Sequence, residues 1–333
     1  MTKRKYAGTW TALITPFKKD GQLDENALRK LVRRQAENGV AGVVPVGTTG
    51  ESPTTTSQED ENIFRIVVDE VNKIVVEGGR KIMVMAGTGS NCTREAIEHT
   101  EAAKRAGVDC CLVVTPYYNK PTPKGLKLHF KAVADVGLPV IVYNIKGRTG
   151  INIDTDTLME IAQHPMVVGV KEASGDLAQM KEVIGRREDL ERERGLNSPA
   201  TPETGTAAGS FTVLSGDDGL TLELIKMGGD GVVSVASNLM PKEVAEMVDL
   251  ALDASLKPDV KKLEEAATAN ENLARLFKDI FVETNPIPVK YIASRMGLCE
   301  LSYRLPICEP SEKAVAALEE TIKFYRLQLC QIS

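Results

Sequence analysis

Three observations predict a (β/α)8 (TIM) barrel with a C-terminal helical region. Eight short Val/Ile-rich runs recur along the 333 residues: TWTALITPF (9–17), GVVPVG (42–47), KIMVMAG (81–87), CCLVVTP (110–116), PVIVYNI (139–145), VVGVKEA (167–173), FTVLSGD (211–217) and GVVSVAS (231–237). Most are nearly continuous in apolar residues rather than alternating, the pattern of parallel strands covered on both faces. From the second run onward, successive starts are separated by 39, 29, 29, 28, 44 and 20 residues, close to the roughly 30-residue βα unit of an eightfold barrel. A doubly wound open sheet is the alternative, but it normally carries a Gly-rich phosphate turn after its first strand. The turn here, PFKKDGQLD (16–24), has none.

The intervening segments carry helical period. Leu28, Leu31, Val32 and Ala36 share a face, with Asp24 placed to cap the start and Gly39 to close the end. Ile63, Ile66, Val67, Val71 and Ile74 do the same behind Ser57, and later helices are expected to stop near Gly107, Gly137 and Gly228. The 44-residue spacing exceeds its neighbours through RREDLERERG (186–195) and NSPATPETGTAAG (197–209). The first reads as a solvated helix extension and the second as a loop of the mobile kind, together a surface insertion around 186–209. From Ala254 the strand-like runs cease and amphipathic helices continue, giving a barrel over 1–253 and a helical region over 254–333.

Composition excludes several function classes. The balance of 41 Lys+Arg against 46 Asp+Glu, net −5, carries no basic footprint for nucleic acid. No apolar run approaches the roughly 18 residues of a membrane span, and the basic start Met1-Thr2-Lys3-Arg4-Lys5 has no apolar segment behind it, so no secretory signal is expected. These features predict a soluble, cytoplasmic protein without membrane or nucleic-acid partners. Six cysteines, at 92, 110, 111, 299, 308 and 330, show no C-x-x-C spacing and read as buried thiols. His99, His129 and His164 all fall in or at the end of helical patterns. Neither a metal centre nor a Ser-His-Asp triad is therefore expected.

The chemistry of such a barrel gathers at the C-terminal ends of its strands. There the sequence places Lys171, directly after Val167-Val168-Gly169-Val170. Lysine is seldom buried without a reason. Glu172 is a poor ion-pair partner because adjacent strand residues face opposite ways. At its ordinary pKa of about 10.4 a lysine is nearly all ammonium at neutral pH. Burial disfavours that charge and leaves free amine to attack a keto group as a Schiff-base nucleophile. Thr48 and Thr49, in a Gly-Thr-Thr-Gly turn, offer two hydroxyls and closely spaced amides for a carboxylate, although the turn alone is equally an ordinary tight turn. Tyr143 ends the strand before that of Lys171, where a phenol could relay protons or simply pack on the rim. Arg148, between Gly147 and Gly150, could hold a carboxylate bidentately or be a solvated charge.

The ordered motifs GTTGES (47–52), TPYYNKP (115–121), YNIKGRTG (143–150), GVKEASGD (169–176), LSGDD (214–218) and NPIPVK (285–290) resemble the dihydrodipicolinate synthase family. That family belongs with the class I aldolase-like barrels that include N-acetylneuraminate lyase. The resemblance runs from about Gly8 to Pro306. It implies a lyase that condenses pyruvate with L-aspartate 4-semialdehyde to 4-hydroxy-tetrahydrodipicolinate, on the route to diaminopimelate and lysine. It implies a homotetramer built as a dimer of dimers, and no cofactor beyond a covalent Schiff base on Lys171. Tyr143 would be the proton donor and acceptor, linked through Thr48 to Tyr118 of the neighbouring subunit. Thr49 would bind the pyruvate carboxylate and Arg148 the aldehyde's carboxylate, with Gly216 and Val233 contacting pyruvate. Ser52, Asn91, Glu95 and Tyr117 would form an allosteric lysine site.

Three departures from the family pattern stand out. Lys146 replaces a usual proline and would put a second cation near the mouth. The insertion after the sixth strand has no counterpart in typical members. Ser57 and Asp60 stand where lysine-inhibited relatives often carry histidines. Two other readings fit the same residues: a pyruvate-dependent sugar-acid aldolase, and a non-catalytic barrel that binds a keto acid or amino acid as a regulator. The set of Lys171, Tyr143, Thr48 and Tyr118 argues against the second.

Overall fold

The computed structural model describes residues 3–194 and 210–327. Its barrel elements run β1 (Gly8–Ala12), α1 (Glu25–Glu37), β2 (Gly42–Val44), α2 (Ser57–Val76), β3 (Met83–Gly87), α3 (Thr93–Ala106), β4 (Cys110–Val114), α4 (Pro123–Ala134), β5 (Val140–Asn144), α5 (Lys146–Thr149), α6 (Thr155–Ala162), β6 (Val167–Glu172), α7 (Leu177–Glu193), β7 (Thr212–Ser215), α8 (Thr221–Lys226), β8 (Gly231–Ser234) and α9 (Pro241–Leu256). Three further helices follow: α10 (Val260–Asp279), α11 (Ile287–Arg295) and α12 (Glu312–Tyr325). The eight strands pair in parallel, in chain order, and β8 closes on β1. All eight predicted runs contain a strand, shorter than the run because each rim segment turns away to carry side chains into the mouth.

The strands are apolar on both faces because one face fills the barrel and the other packs under helices. Val43, Val84, Val113, Ile141, Val142, Val170, Val213 and Val232 are all buried. Where two strands approach most closely the side chain is omitted. A Cβ on Gly42 would lie 2.4 Å from the ring of Trp10, its register partner on β1. That ring is fully buried, with its indole N–H donating to the Tyr6 carbonyl at 2.8 Å.

Helix ends follow the sequence closely, with one shift. Asp24 caps α1 by accepting from the Ala27 amide, and Gly107 closes α3 at φ 84°. The cap of α2 is Thr56 rather than Ser57. Thr56 accepts from the Glu59 amide while the Glu59 carboxylate accepts from the Thr56 amide, a reciprocal box that Ser57 cannot form. The charged run after Ile184 continues α7 but is only partly solvated. Arg187 is buried and pairs with Asp230 at 2.8 Å, and Leu190 is buried beside it. The Pro/Thr-rich stretch 197–209 lies outside the described residues. The junction placed after residue 253 falls in the last turn of α9, so barrel and helical region share a continuous helix there. Of the cysteines expected to be buried, Cys110 and Cys111 are; Cys92 and Cys299 are half-buried and Cys308 is exposed, since it lies in the irregular segment between α11 and α12. Cys330 lies outside the described residues. No helix among the described residues is long and apolar enough to cross a membrane.

Candidate active site

A cavity open to solvent at the rim occupies the C-terminal mouth of the barrel. Its wall includes Thr48, Thr49, Ser52, Tyr143, Arg148, Lys171, Gly216, Val233 and Asn285. Seven of the eight residues expected at the catalytic and substrate positions therefore meet in one place.

Pairing of β5 with β6 explains how Lys171 gets there. Tyr143 lies opposite Lys171 and Asn144 opposite Glu172, so the two pairs face opposite sides of the sheet. Tyr143 and Lys171 point into the cavity, with the lysine Nζ 3.9 Å from the centroid of the tyrosine ring. Asn144 and Glu172 point outward and bond to each other at 3.2 Å. Glu172 also accepts from the Ser174 amide and the Gln179 side chain. Burial raises its carboxyl above the ordinary value, against those hydrogen bonds. The lysine's sequence neighbour is thus occupied elsewhere. Lys171 is 7% exposed and has no carboxylate partner among the described residues. Such an amine is suited to act as a nucleophile.

Gly216 makes room for that amine. A Cβ there would lie 3.0 Å from Lys171 Cε and 2.5 Å from Ala173 Cβ.

The Gly-Thr-Thr-Gly turn is stiff. Its entry residue Val46 is held at φ 56°, a costly conformation for a β-branched side chain, and Glu51 at φ 57° leaves it. The amides of Gly50, Glu51 and Ser52 close the turn onto the carbonyls of Gly47 and Thr48. Those of Thr48 and Thr49 donate to none of the described groups, leaving two adjacent amides beside two hydroxyls. That is the composition of an anion-binding nest.

Other placements differ from expectation or refine it. Arg148 sits on the one-turn helix α5 and donates from Nη2 to the Asn285 carbonyl at 3.0 Å. Lys146, anticipated as a second cation near the mouth, instead borders a separate groove with Asn152, Ser174 and Asp176. It and Arg148 start and nearly end a single helical turn, and two residues of offset direct them apart. Tyr118 does not line the cavity of its own chain. It projects from the β4–α4 loop at φ 71°, 89% exposed. Of the candidate lysine contacts, Ser52 belongs to the cavity wall. Asn91 lies on the β3–α3 loop, Glu95 in the first turn of α3 and Tyr117 on the β4–α4 loop; Asn119 donates to the Asn91 carbonyl and Ser90 to Glu95. Ser57 Oγ lies 3.3 Å from the His99 ring. Among the described residues no group of three His, Cys, Asp or Glu side chains is placed to hold a metal ion.

Asn285 is the site residue that sequence reasoning did not assign. It stands in the NPIPVK motif yet reaches the mouth, 5% exposed, with its side chain on Thr49. The motif was a signal; the contact spans 236 residues and needs the helical region folded back onto the barrel.

Comparison with known proteins converges on one group. The profile of the Dihydrodipicolinate synthetase family matches residues 5–191 and 201–325, skipping 192–200 within the expected insertion. A 4-hydroxy-tetrahydrodipicolinate synthase of Syntrophotalea carbinolica is 42% identical over 97% of this chain and 99% of its own. The crystal structure of dihydrodipicolinate synthase from Aquifex aeolicus superposes with a TM-score of 0.84 at 39% identity, covering 98% of this chain and all of that one. A lysine-bound structure of the enzyme from Cyanidioschyzon merolae gives 0.83 at 36% identity, covering 98% and 100%.

Proposed function

The chain belongs to the dihydrodipicolinate synthetase family, and from that membership we propose that it condenses pyruvate with L-aspartate 4-semialdehyde to 4-hydroxy-tetrahydrodipicolinate, using Lys171 as the Schiff-base nucleophile. The observation that carries the residue assignment is a buried lysine without a counter-carboxylate among the described residues, set in a cavity with two threonine hydroxyls and a tyrosine.

The chemistry needs no added cofactor. The Lys171 amine attacks the keto carbon of pyruvate, and loss of water leaves an iminium. That cation withdraws electrons from the neighbouring methyl carbon, which gives up a proton and becomes an enamine nucleophile toward the aldehyde. Tyr143 moves these protons, relayed through Thr48 to Tyr118 of a neighbouring subunit. The outward reach of Tyr118 from its own chain fits that service to another copy. Thr49, with Thr48 and their amides, holds the pyruvate carboxylate; Gly216 and Val233 pack against the bound keto acid. Arg148 receives the carboxylate of the aldehyde substrate at the outer wall. The assembly is a homotetramer acting in the cytoplasm. Ser52, Asn91, Glu95 and Tyr117 form a site for inhibitory lysine, the ligand of the Cyanidioschyzon merolae structure.

The test is borohydride reduction in the presence of pyruvate, followed by peptide mapping. A reduced adduct on Lys171 is expected; an adduct elsewhere, or none, overturns the assignment. Turnover with L-aspartate 4-semialdehyde should exceed turnover with sugar-acid-derived aldehydes, and the reverse preference would reassign the second substrate.

A further inference from the structure

We propose that Asn285 is a positioning residue for pyruvate: its side-chain amide fixes the Thr49 hydroxyl as a donor toward the substrate carboxylate. The inference rests on the reading of Thr49 given above. Asn285 Nδ2 donates to Thr49 Oγ1 at 2.9 Å, and both side chains are buried. A hydroxyl has one proton to give and lone pairs to receive with. With the amide occupying its acceptor side, Thr49 directs its proton elsewhere, and no described group takes it. The two adjacent amides of the turn are the neighbouring donors. Three donors on one short segment suit a carboxylate.

Asn285 Nδ2 is the atom directed at Thr49, and its Oδ1 is buried without a hydrogen-bond partner among the described residues. Asn285 also uses its backbone. Its carbonyl accepts from Arg148 Nη2 at 3.0 Å, so one residue holds both walls by separate groups. Changing the side chain therefore acts on the Thr49 wall and spares the Arg148 contact. This division separates positioning from general structural damage.

Steady-state kinetics of the full chain with both substrates provide the test, using Asn285→Ala, Asn285→Asp, Thr49→Val and the Thr49→Val/Asn285→Ala double variant. Asn285→Ala should raise the pyruvate KM about tenfold, the scale of one misdirected hydrogen bond to a charged group. Asn285→Asp should raise it further, because an acceptor-only side chain recaptures the hydroxyl proton. The aldehyde KM should stay within about twofold, and Asn285→Ala should add nothing beyond about twofold in the Thr49→Val background. Equal rises for both substrates, or a full additional tenfold in the double variant, would overturn the proposal. Should Asn285→Ala fail to fold, Asn285→Ser carries the same prediction. Borohydride trapping separates this inference from its premise. No adduct in the unsubstituted protein defeats the premise. An adduct there, with unchanged half-saturating pyruvate in the position-285 variants, defeats only the positioning role.

Discussion

Glu51 and Lys290 form an ion pair in which both side chains are wholly buried, one leaving the Gly-Thr-Thr-Gly turn and the other on α11. Lys290 also donates to the Ser302 carbonyl at 2.8 Å, with its Nζ 4.5 Å from the Phe17 ring centroid and 5.2 Å from that of Tyr303. Burial pulls the ammonium below the ordinary lysine value, and the Glu51 carboxylate opposes that pull. Arg304 adds an amide to the same carboxylate and pairs its guanidinium with Glu59 at 2.6 Å. The turn is thereby bolted to the helical region.

Removing one member of that pair leaves an uncompensated charge in the interior. Lys290→Met should cost roughly 3–5 kcal/mol of stability. Thermal melts should show a lower transition, and pyruvate binding should weaken below it. An unchanged melting temperature would contradict a charged, structural pair.

Lys171→Ala should abolish the reduced pyruvate adduct while the melting temperature remains near that of the parent protein. The lost side chain leaves a cavity wall already open to solvent, so little packing is forfeited. Mass spectrometry after borohydride treatment reads the outcome, and a persisting adduct would move the nucleophile elsewhere.

Tyr118→Phe should slow turnover with the fold intact, because the ring is exposed and its hydroxyl bonds to no described group. Loss of one proton-relay member is worth on the order of a hundredfold. Mixing Tyr118→Phe with Lys171→Ala protein should restore part of the activity, since hybrid pairs contain an unsubstituted Lys171 site served by an intact Tyr118. Full activity of Tyr118→Phe alone would remove it from the mechanism.

Asp60 offers a pH prediction. It is buried on α2, and burial pushes its carboxyl up to about 6, opposed by the Thr55 hydrogen bond and the His99 charge and assisted by Glu59. The folded protein therefore holds this proton more tightly than the unfolded chain. Its contribution is most favourable below the ordinary carboxyl range and is lost as pH rises through about 6. Asp60→Asn should raise stability at pH 7.5 by up to ~3 kcal/mol and leave it nearly unchanged at pH 4. Melts at the two pH values check this; an equal effect at both would refute it.

Much of the barrel was legible because its strands are continuous apolar runs at a steady interval, a signal that depends on local composition alone. Lys171, Tyr143, Thr48 and Thr49 stood out because polar groups at the ends of such strands have few structural reasons to be there. Local reading failed where a partner lay far along the chain. Ser57 and Thr56 are equivalent as isolated caps, and only the reach of Glu59 chooses between them. Arg187 looks solvated until Asp230 is brought against it. Lys146 seems to belong to the mouth until the one-turn helix α5 directs it sideways. Asn285 could not be assigned from its neighbours, because what it touches is fixed by how the last helices return.

The Glu51–Lys290 bolt bears on how such proteins can be recombined. A chimaera that took its closing helices from a different barrel would inherit a lone interior charge unless both ends of the pair travelled together. The Gly-Thr-Thr-Gly turn and the carboxyl-terminal third are thus one hereditary unit, though the chain separates them by more than two hundred positions.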